Sequence, residues 1–166
     1  DLDGDERPDP LWFTYEGVFT LGQSEGDWAL EAIEVPAVVQ PGGNPPAPVL
    51  AVLDADGDGA LDLMVIDEEL HFLRLEGPRK FVLMDGVIPA LPGATAVDAA
   101  VGDLNSDGLT DVVLGFGTVA LELFSLGGHR DVVLMNRGHM RFEAQPIEPS
   151  RDVFTNGITL ADMDGD

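Results

Sequence analysis

Aspartates recur along this chain at a spacing that few folds can supply. DLDGDERPD at 1–9, DADGDGALD at 54–62, DLNSDGLTD at 103–111 and DMDGD at 162–166 start at intervals of 53, 49 and 59 residues. Carboxylates this close repel one another unless something offsets the repulsion. A fixed period of this order is the mark of arrays in which each unit buries its apolar face on the next. Each complete cluster is followed by an apolar, β-prone run: PLWFTY, LDLMVI or TDVVLGF. Three clusters are preceded by another, in PVLAVLDAD, DAAVGDLN and GITLADMD.

An aromatic landmark keeps the same register. Trp28 lies 27 residues after Asp1, and Phe81 lies 27 after Asp54, each behind Gly-containing turn material. In the third unit NRGHMRF ends at Phe142, 39 residues after Asp103, so about twelve residues are inserted near 116–131. An insertion between strands belongs in a surface loop, and the part around 124–130 is the candidate partner-contacting loop, the alternative being a disordered or merely longer hairpin.

Each unit reads as four short strands, in the second roughly 48–53, 61–66, 70–75 and 80–87. LDLMVI and TDVVLGF are nearly continuous apolar runs, as expected of strands buried on both faces. QPGGNPPAP at 40–48 reads as the connection between the first and second units. The expected fold is all-β: four-stranded antiparallel blades of a β-propeller, in units 1–53, 54–102 and 103–161, with a further unit starting at 162–166. Propellers have four to eight blades. About three here imply a fragment of a larger propeller, its remaining blades supplied by the same or a companion chain.

Within each cluster positions 1, 3, 5 and 9 carry Asp or Asn. These are Asp1, Asp3, Asp5 and Asp9; Asp54, Asp56, Asp58 and Asp62; and Asp103, Asn105, Asp107 and Asp111. The fourth cluster supplies Asp162, Asp164 and Asp166. Alternate carboxylates on a tightly turning backbone converge on one point, and position 7 (Arg7, Ala60, Leu109) can add a main-chain carbonyl. A hard cation taking six to eight oxygens at flexible geometry fits this donor set, so Ca²⁺ is expected in about three complete sites and one partial. Mg²⁺, with stricter octahedral demands, is the weaker candidate. An EF-hand would need a bidentate Glu at position 12 between helices. Position 12 is Trp12, Val65 or Leu114, inside strand-like runs. Asp67 falls five residues beyond Asp62, about 16 Å along an extended strand, and is excluded as a ligand.

The chain has 8 basic and 31 acidic residues and a net charge of −23, which argues against nucleic acid and anionic membrane surfaces. Its 45 % hydrophobic content is too high for a disordered acidic tail. No cysteine is present, which excludes disulfides and thiolate chemistry. No apolar run approaches the ~20 residues of a membrane span.

The pattern D-x-[DN]-x-D-G-x-x-D between strands, about every 50 residues, resembles the FG-GAP/VCBS repeat of integrin-α-type β-propellers. Asp54–Asp62 matches fully, and Asp103–Asp111 with Asn105 and Ser106. Asp1–Asp9 departs at Glu6 and Pro8, and Asp162–Asp166 matches as far as it runs. NRGHMRF resembles the N-x-G-x-G-x-F turn of many such units, with Met140 for the second Gly. The resemblance implies structural ions, an extracellular, cell-surface or periplasmic location, and a protein or carbohydrate ligand. His71, His129 and His139 are scattered through different units and are expected on surfaces or turns. Trp12 and Trp28 are expected chiefly in core packing. No catalytic constellation is found. The leading expectation is a non-catalytic recognition, adhesion or structural module. The alternative is the propeller of a secreted carbohydrate-active enzyme, a polysaccharide lyase or glycosidase, or a lectin; reducing-end release from polysaccharides separates the enzyme from the module.

Overall fold

The computed structural model of the chain describes residues 9–14, 16–24, 27–39, 48–66, 69–89, 91, 95–117, 131–147 and 155–163. Among these residues the protein is all-β, with three antiparallel sheets whose spatial order follows the chain. The first sheet holds β1 (Leu11–Thr14), β2 (Gly17–Ser24) and β3 (Asp27–Ile33). The second holds β4 (Val49–Leu53), β5 (Asp62–Ile66), β6 (Leu70–Gly77) and β7 (Lys80–Leu83). The third holds β8 (Thr95–Gly102), β9 (Asp111–Gly117), β10 (Val132–Asn136) and β11 (Phe142–Pro146). A single 3-10 turn, Ala37–Val39, is the helical element among the described residues. No helix there is long and apolar enough to cross a membrane.

The second sheet is the middle layer, and β5 shows why its sequence is apolar without a break. All five residues of β5 are buried. Side chains alternate across a strand. Leu63 and Val65 join a cluster with Val18 and Ile33 of the first sheet, Val39, Leu73 and Phe81. Met64 and Ile66 join another, with Leu53 and Phe72 and, from the third sheet, Val112, Leu114, Phe116, Leu134 and Phe142. Each fully buried side chain of this kind contributes about 1.5–3 kcal/mol relative to an exposed one.

Neighbouring sheets are also joined by backbone. Beyond β3, the Glu34 N–H donates to the Arg79 carbonyl (2.9 Å) and its own carbonyl accepts from Phe81 (2.8 Å). Beyond β7, Val87 repeats the device with Met140 (2.8 Å) and Phe142 (3.0 Å). Both are one-residue parallel bridges onto the last strand of the following sheet. They explain why β7 ends at Leu83 although the expected strand runs to 87: after Met84 the turn dipeptide Asp85-Gly86 carries the chain toward the third sheet. The turn residues receiving the bridges, Arg79 and Met140, both have positive φ (58°). Arg79 also pairs with Glu31 of β3 across the same seam.

The inserted stretch lies between β9 and β10, with residues 118–130 outside the described ones. The proposed connector, 40–48, falls outside them except for residue 48. The run expected to form a strand at GITLADMD does not pair as one among the described residues. Residues 155–163 instead lie against the third sheet, where Thr155 Oγ1 donates to Asp131 (2.7 Å) and Ile158 N–H to Asp98 (2.7 Å).

Candidate metal centre

The two described aspartate loops occupy the same joint of successive sheets. Residues 54–61 connect β4 to β5, and residues 103–110 connect β8 to β9. In each, the ninth position opens the second strand, as Asp62 or Asp111. The turns require left-handed backbone at positions 4 and 6: Gly57 (φ 84°) and Gly59 (88°), then Ser106 (61°) and Gly108 (85°).

The hydrogen bonds of the two loops follow one pattern. Asp54 accepts from the N–H groups of Gly57 (2.8 Å), Asp58 (3.2 Å) and Gly59 (2.9 Å). Asp103 accepts from Asp107 (3.1 Å) and Gly108 (2.8 Å). Asp56 and Asn105 accept from the N–H two residues on (3.0 and 2.9 Å), as do Asp58 and Asp107 (2.8 and 2.9 Å). Position 9 closes each loop by accepting from position 2: Asp62 from Ala55 (3.0 Å), Asp111 from Leu104 (3.1 Å). Each side chain is therefore held facing the inside of its own turn.

The carboxylates of Asp54, Asp56 and Asp58 each place an oxygen within 4.8 Å of the others. Asp62 lies beside this group: burial above all, opposed by the Ala55 N–H and reinforced by the charges of Asp56, Asp58 and Asp54, pushes its pKa from 3.8 to about 6. In the 103–111 loop the middle ligand position is an amide, and Asn105 Nδ2 donates to Asp107 (2.9 Å). That contact replaces a repulsion with a hydrogen bond, and no comparable group of three acids forms there. The Gly108 N–H first, then other loop amides, hold the Asp103 carboxyl below its usual range.

Residues 54–114 match the family described as an FG-GAP-like repeat. Over those residues the chain carries an FG-GAP-like repeat. The matched stretch begins at Asp54, takes in both described loops and strands β5–β8, and ends inside β9. No curated protein matches the chain.

The donor set of the FG-GAP-like repeat fits a hard cation. It consists of carboxylates and, at Asn105, one amide oxygen, and an ionised carboxylate offers about four acceptor sites. Asp56 and Asp58 line an open cleft of about 410 Å³ with Gly57, Asp85, His139 and Met140, which gives an ion access. Asp54, Asp56 and Asp58, with Asp62 beside them, would hold the ion in the first loop of the repeat. Asp103, Asn105, Asp107 and Asp111 would hold one in the second. A bound cation would supply charge neutralisation and cross-linking of the turn. Ala60 and Leu109 sit at position 7, their N–H groups bonded to position 5. Asp1, Asp3, Asp5, Arg7, Asp164 and Asp166 lie outside the described residues. Asp9 stands two residues ahead of β1, and Asp162 is exposed in the segment after the third sheet. Asp67 also lies outside them.

Three expectations about individual residues change. Trp28 keeps the position of Phe81, on the last strand of its sheet, but is 66 % exposed, and Trp12 is 40 % exposed. Both lie on the face of the first sheet turned away from the second. His71 is buried, because pairing with Val65 in β5 puts it on the face packed toward the first sheet. His139 lies in a turn and is exposed, as expected; His129 is outside the described residues.

A residue that spacing alone does not single out is Asn136, fully buried at the end of β10. Its signal is the Asn two residues before Gly in NRGHMRF, where Oδ1 accepts from the Gly138 N–H (2.9 Å).

Proposed function

We propose that this chain is a set of calcium-stabilised blades of a β-propeller that serves as a non-catalytic recognition, adhesion or structural module outside the cytoplasm. The observation that carries the reading is the recurrence of one hydrogen-bonded aspartate loop at the same joint of two successive sheets. Ions at these joints lock the turn that aligns the first and second strands of each blade. The sheets stack face on face through bridges at Glu34 and Val87, which is how blades follow one another around an axis. Trp12, Trp28 and Leu30 give the outer face of the first sheet an apolar surface suited to a further blade. Extracellular calcium modules bind at roughly 10⁻⁴–10⁻³ M, which matches calcium levels outside cells. The ligand is a protein or carbohydrate presented to the assembled propeller.

Isothermal calorimetry of the chain tests the ion assignment. Saturable Ca²⁺ binding, weaker with Mg²⁺ and lost in Asp58→Asn at one site, is the expected result. No saturable heat would refute it.

A further inference from the structure

The two aspartate loops are joined by a buried chain of hydrogen bonds that passes through Asn136. Asp62 accepts from the Ala55 N–H (3.0 Å), and the carbonyl of the same Ala55 accepts from Asn136 Nδ2 (3.1 Å). That Nδ2 also donates to the Thr110 carbonyl (3.2 Å), next to Asp111. The Asn136 N–H donates to Asp111 Oδ1 (2.8 Å). The amide orientation follows from its partners, since two carbonyls face the nitrogen and the Gly138 N–H faces the oxygen. Ala55, Asn136 and Asp111 are fully buried and Asp62 is 2 % exposed, so water does not compete for these bonds. Two other contacts run in parallel. The His139 N–H points to the Asp56 carbonyl (3.4 Å), and a Leu109 methyl lies 3.5 Å from where a Gly57 Cβ would stand.

We propose that Asn136 couples the two loops, so that a divalent cation held in either one raises the affinity of the other; this rests on the calcium reading above. An ion that fixes Asp62 fixes the backbone on both sides of the Ala55 Cα, which seats the Asn136 side chain, and the Asn136 N–H in turn orients Asp111. Order established at one loop need not be established again at the other, and linked networks of this kind strengthen together. Coulomb repulsion between two bound cations has the opposite sign, so positive coupling cannot arise from charge alone.

The test uses the whole chain and Ca²⁺ titrations read by NMR at two amides, Gly59 for the 54–62 loop and Gly108 for the 103–111 loop. Asp58→Asn, which disables the first loop, should shift the Gly108 midpoint to at least about fivefold higher Ca²⁺, the lower end of typical coupling. Asp107→Asn should shift the Gly59 midpoint by the same factor, because coupling is reciprocal. In an Asn136→Ala background both shifts should disappear, whereas a merely structural role would weaken both sites and leave their ratio intact. Should Asn136→Ala not fold, Asn136→Asp, which keeps an oxygen for the Gly138 N–H and removes the Nδ2 donor, takes its place with the same expectation. A Gly108 midpoint indifferent to Asp58→Asn, or coupling that survives Asn136→Ala, overturns the proposal while leaving the calcium reading in place. No response at either glycine in the parent chain removes both.

Discussion

Phe72 of β6 and Phe142 of β11 stack with ring centroids 4.6 Å apart and planes 8° from parallel, joining the second sheet to the third. Both rings are buried in the larger apolar cluster. Phe72→Ala leaves a cavity between two sheets and should cost about 3–5 kcal/mol. Urea unfolding should show a lower midpoint with signals from both sheets moving together. A loss confined to the second sheet would mean that the two sheets do not share a core.

Asp54 and Asp58 differ in what they do without an ion. Asp54 accepts three backbone N–H groups of its loop, whereas Asp58 accepts one. Asp54→Ala should therefore lower the melting temperature in both chelator and Ca²⁺. Asp58→Ala should act mainly in Ca²⁺. Paired melting curves check this, and equal losses in chelator would contradict the hydrogen-bond assignment.

Asp62 gives a pH dependence with a definite sign. Its folded pKa of about 6 exceeds the ordinary 3.8, so the folded chain binds this proton more tightly than the unfolded one. The stability it contributes is complete below pH 3.8 and is lost as pH rises through about 6 in metal-free protein. Asp62→Asn does not ionise and keeps an oxygen for the Ala55 N–H. In chelator at pH 7 the variant should melt above the parent, with the advantage gone near pH 4. In Ca²⁺ it should melt below the parent, having lost a ligand. A variant that melts lower in all conditions would contradict this account.

The joints of the fold were legible because alternate aspartates and two-faced apolar strands leave periodic marks. LDLMVI announced a strand buried on both sides, and β5 is one. Where the chain goes after β7 was not legible: Asp85-Gly86 marks a turn there, but only the bridge from Val87 to Arg141, 54 residues on, shows its destination. Nor was the burial of His71, which depends on its pairing with Val65 across the sheet. Exposure of Trp28 depends on what covers the first sheet, and that is a property of neighbours rather than of the run QSEGDWAL. Asn136 escaped notice because its partners, Ala55 and Thr110, lie 81 and 26 residues away.

Ser106 holds a left-handed backbone (φ 61°) where the other loop has Gly57. That conformation costs a non-glycine residue about 1–2 kcal/mol, partly offset by the extra chain entropy of glycine. Ser106→Gly should stabilise the protein by roughly 0.5–1 kcal/mol in chemical denaturation. A destabilised variant would mean that the serine side chain holds the turn in some further way.

Ions that hold these sheets together at the aspartate loops must show in scanning calorimetry as a difference between Ca²⁺ and chelator. An ion at ~100 times its dissociation constant contributes about 2.7 kcal/mol per site. For a chain of this size that corresponds to roughly 5–10 °C. A melting temperature higher by about this amount per site is expected in Ca²⁺ at ~100 times the dissociation constant, roughly 10 mM for a site of ~10⁻⁴ M, than in chelator, with one site's share of the gain lost in Asp58→Asn. The same melting temperature in Ca²⁺ and in chelator would contradict it.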